Sequence, residues 1–192
     1  MTHPITDRLD IAANRRAAKW TREELFYRFL WDLAQPVLRL VPRQFWGVRR
    51  WSLRIFGARV GREVHIHRTV RIAIPWNLTI DDEAAIGDGV QIYNLGPVSI
   101  GAQATISQGA HLCAGTHDHR RPDLPLVKGT IKIGRGAWIC ADAFVGPNVN
   151  VGDFAILGAR AVVVRNVEPG VVVAGNPARV VGRRERFSLT AS

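Results

Sequence analysis

Thr116-His117-Asp118-His119 stands in a stretch from Cys113 to Lys132 that is rich in groups able to move protons or bind charge, with Arg120, Arg121, Asp123 and Lys128 following. An imidazole titrates at about 6.5, so at neutral pH it can take the proton of a hydroxyl in a transition state and pass it on. An imidazole in this loop, as at His117, could therefore serve as a general base. Asp118 is a candidate for orienting an imidazole or binding an acceptor, and His119 reads as a surface residue. Asn94, in Ile92-Tyr-Asn-Leu95, offers an amide that both donates and accepts, although a turn asparagine is the plainer reading. Cys113 and Cys140 are nucleophiles in principle, but a reactive thiolate needs a partner that the local sequence does not supply.

These residues sit in a chain with an unusual period. Aliphatic residues recur every six positions at Ile133, Ile139, Val145, Val151, Leu157 and Val163. Earlier runs are Val60, Ile66, Ile72 and Leu78, then Ile80, Ile86 and Ile92, then Ile100, Ile106 and Leu112, with shifts that mark insertions at corners. Glycine often follows the aliphatic residue, as at Gly61, Gly87, Gly101, Gly134, Gly146, Gly152 and Gly158, where a turning backbone favours a residue without Cβ. Neither a helix nor an alternating strand has this period. Three six-residue units per coil make a triangular prism whose aliphatic side chains stack inward in a continuous column. The expected fold is an all-β solenoid, a parallel β-helix, with the stretch 113–132 thrown out as a loop. Loops on rigid scaffolds are usual carriers of function.

The ends depart from the pattern, as caps of a solenoid must. Residues 1–57 place Trp20, Leu25, Phe26, Phe29, Leu30 and Leu33 at helical spacing, with an expected break at Gln35-Pro36 and a second basic aromatic stretch through Trp46, Trp51, Leu53 and Phe56. The division is an N-terminal helical segment (1–57), the prism (58–168) and a C-terminal cap with a basic tail (169–192). The net charge of +10 is concentrated near the two ends and favours an anionic partner. A cap over the open prism is the plain account of the helices, and docking on an anionic membrane surface is the alternative; nucleic acid ranks below both. Two cysteines and no apolar leader point to a cytoplasmic setting, with peripheral contact at the inner face of the membrane left open to the basic N-terminus. Arg28, Asp32, Pro36, Arg39, Pro42 and Arg43 interrupt the apolar stretch from Leu25 to Val48, so no spanning helix is expected.

Four segments together resemble a known family: Gly115-Thr-His-Asp118, Ile131-Lys-Ile-Gly-Arg-Gly-Ala-Trp-Ile139, Val149-Asn-Val-Gly-Asp-Phe-Ala-Ile-Leu-Gly-Ala159 and Val173-Ala-Gly-Asn-Pro-Ala-Arg-Val180. They are similar to the hexapeptide-repeat acetyltransferases, especially the maltose, galactoside and colanic-acid-type polysaccharide O-acetyltransferases, over residues 57 to 183. The resemblance implies a left-handed parallel β-helix and direct transfer of an acetyl group from acetyl-CoA to a hydroxyl of a sugar or polysaccharide precursor. It gives His117 the part of general base and places Asn94, Asp118 and Trp138 near the acceptor. It runs the pantetheine arm past Ala141 and Ala159 and the phosphorylated nucleotide near Arg165, Arg179 and Arg183, whose forked donors suit phosphate. It further implies a homotrimer with sites shared between neighbouring prisms, and no metal.

Two other readings compete. A γ-carbonic-anhydrase-like zinc lyase would need three of His65, His67, His111, His117 and His119 to converge. His65 and His67 lie about two and a half coils before His111, roughly 12 Å at an inter-strand spacing of about 4.8 Å, which opposes it. A non-catalytic basic scaffold on an anionic surface would use the N-terminal arginines and tryptophans alone.

Overall fold

The computed structural model describes residues 8–42 and 44–185. Strands of two or three residues, alternately buried and exposed, pair in parallel with their equivalents one coil away and build a left-handed β-helix with three flat faces. The first face carries Arg59–Val60, Leu78–Ile80, Val98–Ile100, Ile131–Ile133 and Val149–Val151. On the second lie His65–Ile66, Ala85–Ile86, Thr105–Ile106, Trp138–Ile139, Ile156–Leu157 and Val171–Ala174, and on the third Arg71–Ile72, Gln91–Tyr93, His111–Cys113, Phe144–Val145 and Val162–Val163.

Inside, the second face stacks Ile66, Ile86, Ile106, Ile139, Leu157 and Val173 in register. The third stacks Ile72, Ile92, Leu112, Val145 and Val163. All are buried, and fully buried alanines such as Ala104, Ala137 and Ala155 fill the corners between them. Removing one such side chain leaves a void in a rigid column, so Ile106→Ala is expected to cost about 3 kcal/mol. Equivalent positions are twenty residues apart in the early coils, as Ile66 and Ile86, and eighteen apart later, as Ile139 and Leu157. The additional residues lie at the corner between the third and first faces, where Pro75–Asn77 forms a 3-10 turn.

Corner glycines provide space more than unusual dihedrals. A Cβ on Gly134 would stand 2.5 Å from the backbone nitrogen of Asp153 in the next coil. The left-handed φ values fall instead on residues further into the turns, including Glu83, Gln103 and Arg160.

Among the described residues three helices precede the prism: α1 (Ile11–Arg16), α2 (Arg22–Leu40) and α3 (Trp46–Ile55). A capping box between Thr21 and Glu24 starts α2. The expected break at Gln35-Pro36 does not occur; Pro36 lies inside α2. Anchors on both sides of the proline hold the helix on course: Trp31 enters the core on one side, while on the other Leu38 packs on the core and its carbonyl accepts from Arg49 Nη2 at 2.8 Å.

Helices α2 and α3 also satisfy the open edge of the first coil, where unpaired strand groups would otherwise face water. Trp31 Nε1 donates to the Ile72 carbonyl at 2.7 Å, Arg50 to Val64 at 3.2 Å, and Arg54 Nη2 to Val60 and Gly61 at 2.6 and 2.9 Å. Part of the N-terminal basic charge is thus structural. At the other end, Arg179–Arg183 turns back antiparallel on Val171–Ala174. Among the described residues no helix is long and apolar enough to cross a membrane.

Candidate active site

At the corner between the third and first faces the chain leaves the prism once as a hairpin. Its strands are Gly115–His117 and Leu126–Lys128, with His117 opposite Leu126. The neck closes where Gly129 N donates to Ala114 O at 2.7 Å. A Cβ at Gly96 in the coil below would collide with the Gly129 carbonyl oxygen, so the hairpin leaves the prism over a residue that has no side chain.

His117 is exposed at the end of its strand, and its Nδ1 lies 2.6 Å from the Leu124 carbonyl oxygen. A carbonyl only accepts, so in the neutral imidazole the proton sits on Nδ1 and Nε2 carries the lone pair. That is the tautomer a general base requires, held by a backbone atom across the hairpin turn.

Asp118 is half-buried and takes part in the turn: its backbone nitrogen donates to Pro125 O at 3.0 Å and its Oδ1 accepts from Arg120 N at 3.1 Å. Neither contact aims the carboxylate at His117. Arg121 hydrogen-bonds Asp123 and holds that carboxyl below its usual range.

Sequence reasoning missed Asn14. From α1 its Nδ2 donates to Asp123 O at 2.7 Å and Leu124 O at 2.6 Å, while its Oδ1 accepts from Lys19 Nζ at 2.7 Å. Asp10 N adds a bond to Pro122 O at 2.8 Å, and Lys128 Nζ reaches the Lys19 carbonyl at 3.1 Å while lying over the Trp20 ring. The N-terminal segment therefore clasps the hairpin, and the carbonyl that orients His117 is held from both sides. A contact over 110 residues leaves no local signature.

Asn94 departs from expectation. It is 0 % exposed; its Oδ1 accepts from Ile74 N at 3.0 Å and its Nδ2 donates to Ile74 O at 2.5 Å. Both ends of the amide are spent on the backbone one coil away, so Asn94 ties the corner together and presents no group to an acceptor.

The residues assigned to CoA are partly brought together. Ala141 and Ala159 stack in successive coils at the corner between the second and third faces, where Arg160 N donates to the Ala141 carbonyl at 2.9 Å. Trp138, half-exposed on the second face, donates to Ser107 Oγ at 2.9 Å. Arg165 and Arg179 line one cavity of about 260 Å³ with Asn166 and Ala178. Arg183 lines a different one with Arg184 and Phe154. Within one chain the third face separates the corner bearing Ala141 and Ala159 from the corner bearing His117.

The competing chemistries lose ground on placement. Cys113 Sγ approaches the Gly115 carbonyl at 3.4 Å, and burial raises the Cys140 pKa, which disfavours a thiolate. His65, on the second face, stacks on Trp46, His67 contacts Thr69 and Asp88, and His111, on the third face, meets the edge of Phe144.

No protein-family model matches the chain. A protein of Escherichia coli K12 named as a colanic acid biosynthesis acetyltransferase, WcaF, is 39 % identical over 154 residues, which is 80 % of this chain and 85 % of that one. The galactoside O-acetyltransferase of the same organism is 32 % identical over 123 residues, 63 % of this chain and 54 % of that one. A galactoside acetyltransferase solved in complex with coenzyme A superposes with a TM-score of 0.80 at 22 % identity, covering 96 % of this chain and 92 % of the other. A hexapeptide-repeat acetyltransferase of Vibrio cholerae complexed with acetyl-CoA gives 0.79 at 19 %, covering 88 % and 93 %. With the repeat, the hairpin and a relative matched over most of its length, the chain belongs to the hexapeptide-repeat O-acetyltransferases.

Proposed function

We propose that this acetyltransferase moves an acetyl group from acetyl-CoA directly to a hydroxyl of a sugar or polysaccharide precursor, with His117 as general base. The observation that carries the reading is the 2.6 Å contact between His117 Nδ1 and the Leu124 carbonyl, which leaves Nε2 as the basic atom on an exposed hairpin. An alcohol becomes a competent nucleophile as a base takes its proton in the transition state. The thioester is already activated, so the hydroxyl oxygen attacks the acetyl carbon, His117 Nε2 takes the proton, and CoA leaves as the thiol after that proton is passed on. No covalent enzyme intermediate is required. The sugar acceptor is supported by the names of the relatives, which include colanic acid and galactoside enzymes.

Arg165 and Arg179, in one cavity, are the proposed partners of the nucleotide phosphates, and Ala141 and Ala159 the small-residue track for the pantetheine arm. Because that track and His117 lie on different corners, the proposed site is completed between neighbouring copies in a homotrimer. The proposed setting is cytoplasmic, supported by two free thiols, and peripheral to the membrane.

CoA release from acetyl-CoA against a panel of mono- and oligosaccharides tests the reaction. Acceptor-dependent release supports it; acetyl-CoA binding with no release on any sugar counts against a sugar acceptor. Mixing two inactive variants, His117→Ala and Ala159→Trp, tests the shared site. Co-assembled mixed trimers regain activity if the two positions act across a subunit boundary, and stay inactive if each chain holds a whole site.

A further inference from the structure

A helix on a protein surface ordinarily buries one stripe and offers water a polar one. Helix α2 is apolar on two opposite sides. Trp31, Ala34 and Leu38 face the prism. On the far side stand Leu25, Phe26, Phe29, Leu33, Val37 and Leu40, between 52 and 81 % exposed. Their spacing of three and four residues sets them along one line, with Arg22 at its start. Helix α3 repeats the arrangement, with Val48, Trp51 and Ile55 exposed and Ser52 and Leu53 buried. Nothing in catalysis or capping uses these outward side chains, and contiguous exposed apolar surface of this kind marks an interaction site.

Charge selects the occupant. Between residues 8 and 57 there are eleven Arg and Lys against four Asp and Glu. Arg49, Arg50 and Arg54 are engaged with backbone carbonyls, whereas Arg15, Arg16, Arg22 and Arg39 are exposed. A second copy of the chain would bring the same positive charges to the contact. An anionic lipid surface complements both features: aromatic and aliphatic side chains enter the acyl boundary while guanidinium groups meet phosphates. Helix α2 is not long and apolar enough to cross a membrane.

We propose that the outward face of α2 docks the protein on a membrane of anionic phospholipid. This rests on the peripheral placement proposed above and is independent of the acceptor and of His117. A docked prism would meet acceptors that are themselves anchored in that surface.

Flotation of the full chain with vesicles of phosphatidylcholine alone, or mixed with phosphatidylglycerol, tests the surface. The native chain floats with the anionic vesicles at least about tenfold more than with the neutral ones, and rising salt weakens the association. The double variant Phe29→Asp, Leu33→Asp loses that partition by about tenfold or more. It still turns over acetyl-CoA on a soluble acceptor, or in the absence of a known acceptor keeps its circular dichroism and thermal transition, which shows that it is folded. The variant Arg22→Glu, Arg39→Glu keeps the apolar face and loses the preference for phosphatidylglycerol. The proposal is overturned if the native chain ignores anionic vesicles, or if the Phe29, Leu33 variant floats undiminished. It is equally overturned if that variant changes the oligomeric mass in solution, which would make the face a contact between copies. None of these failures touches the transfer reaction, which CoA release reads separately.

Discussion

His117 Nδ1 and the Leu124 carbonyl oxygen lie 2.6 Å apart, and Asn14 Nδ2 approaches the same oxygen at 2.6 Å from α1. A carbonyl has two lone pairs and both are used. The proposed base is thus aimed by an atom that the N-terminal segment holds in place, which links the helical cap to the hairpin.

Asn14 is accordingly expected to act as a positioning residue. Asn14→Ala lowers kcat by roughly ten- to a hundredfold, since a reacting group misplaced by about an ångström can lose about a hundredfold in rate, with KM for acetyl-CoA unchanged. Asn14→Asp places a carboxylate beside the imidazole, favours its protonated form and moves the acid limb of the pH–rate profile to higher pH. Steady-state profiles of the two variants check this. An acid limb that stays in place in Asn14→Asp would reduce Asn14 to a role in folding.

Asn94 is expected to report on stability. Asn94→Ala leaves the Ile74 backbone nitrogen and oxygen unsatisfied in the interior and costs about 2 kcal/mol or more in urea unfolding. A variant of native stability with a raised acceptor KM would restore the direct contact with substrate that the buried amide argues against.

The arginines should divide by cavity. Arg165→Ala and Arg179→Ala each raise KM for acetyl-CoA about tenfold, since a charge-assisted hydrogen bond is worth roughly 1.5–3 kcal/mol. The penalty for at least one of them shrinks when dephospho-CoA replaces CoA as competitor. Arg183→Ala, which lines the other cavity, leaves both readings near native.

Burial lowers the His111 pKa from its ordinary 6.5, so the folded chain keeps this imidazole neutral to lower pH than the unfolded chain does. Below about 6.5 the unfolded state takes up a proton that the folded state refuses, and stability falls with pH until the folded-state pKa is passed. His111→Gln should flatten that slope as pH falls below about 6.5 in chemical denaturation, while the loss at still lower pH, where Asp82, Asp88 and Asp123 protonate, persists. An unchanged slope would mean that another group sets it.

The prism was legible because its determinant is periodic: one inward aliphatic per six residues is a pattern that a sequence displays without knowledge of contacts. The hairpin was legible as the place where that period stops. The sequence does not show where the Asn94 amide points, because its partner, Ile74, lies one coil away, and a corner asparagine looks alike whether it faces the core or the solvent. Asn14 gave no signal because its function arises from α1 meeting a hairpin 110 residues later. Local propensity favours a break at Pro36, and the anchors at Trp31 and Leu38 override it. The pairing of Arg165 with Arg179, and the separation of Arg183, follow from a chain reversal after Val171–Ala174 that the repeat does not encode.

The central claim is that His117 takes the proton of the acceptor hydroxyl. CoA release from acetyl-CoA in the presence of an active sugar acceptor, compared between the native chain and His117→Ala, tests it most directly. Loss of roughly a hundredfold or more of acceptor-dependent kcat, with acetyl-CoA binding retained, is the predicted result. Release at the native rate in the variant would contradict it and remove His117 from the mechanism.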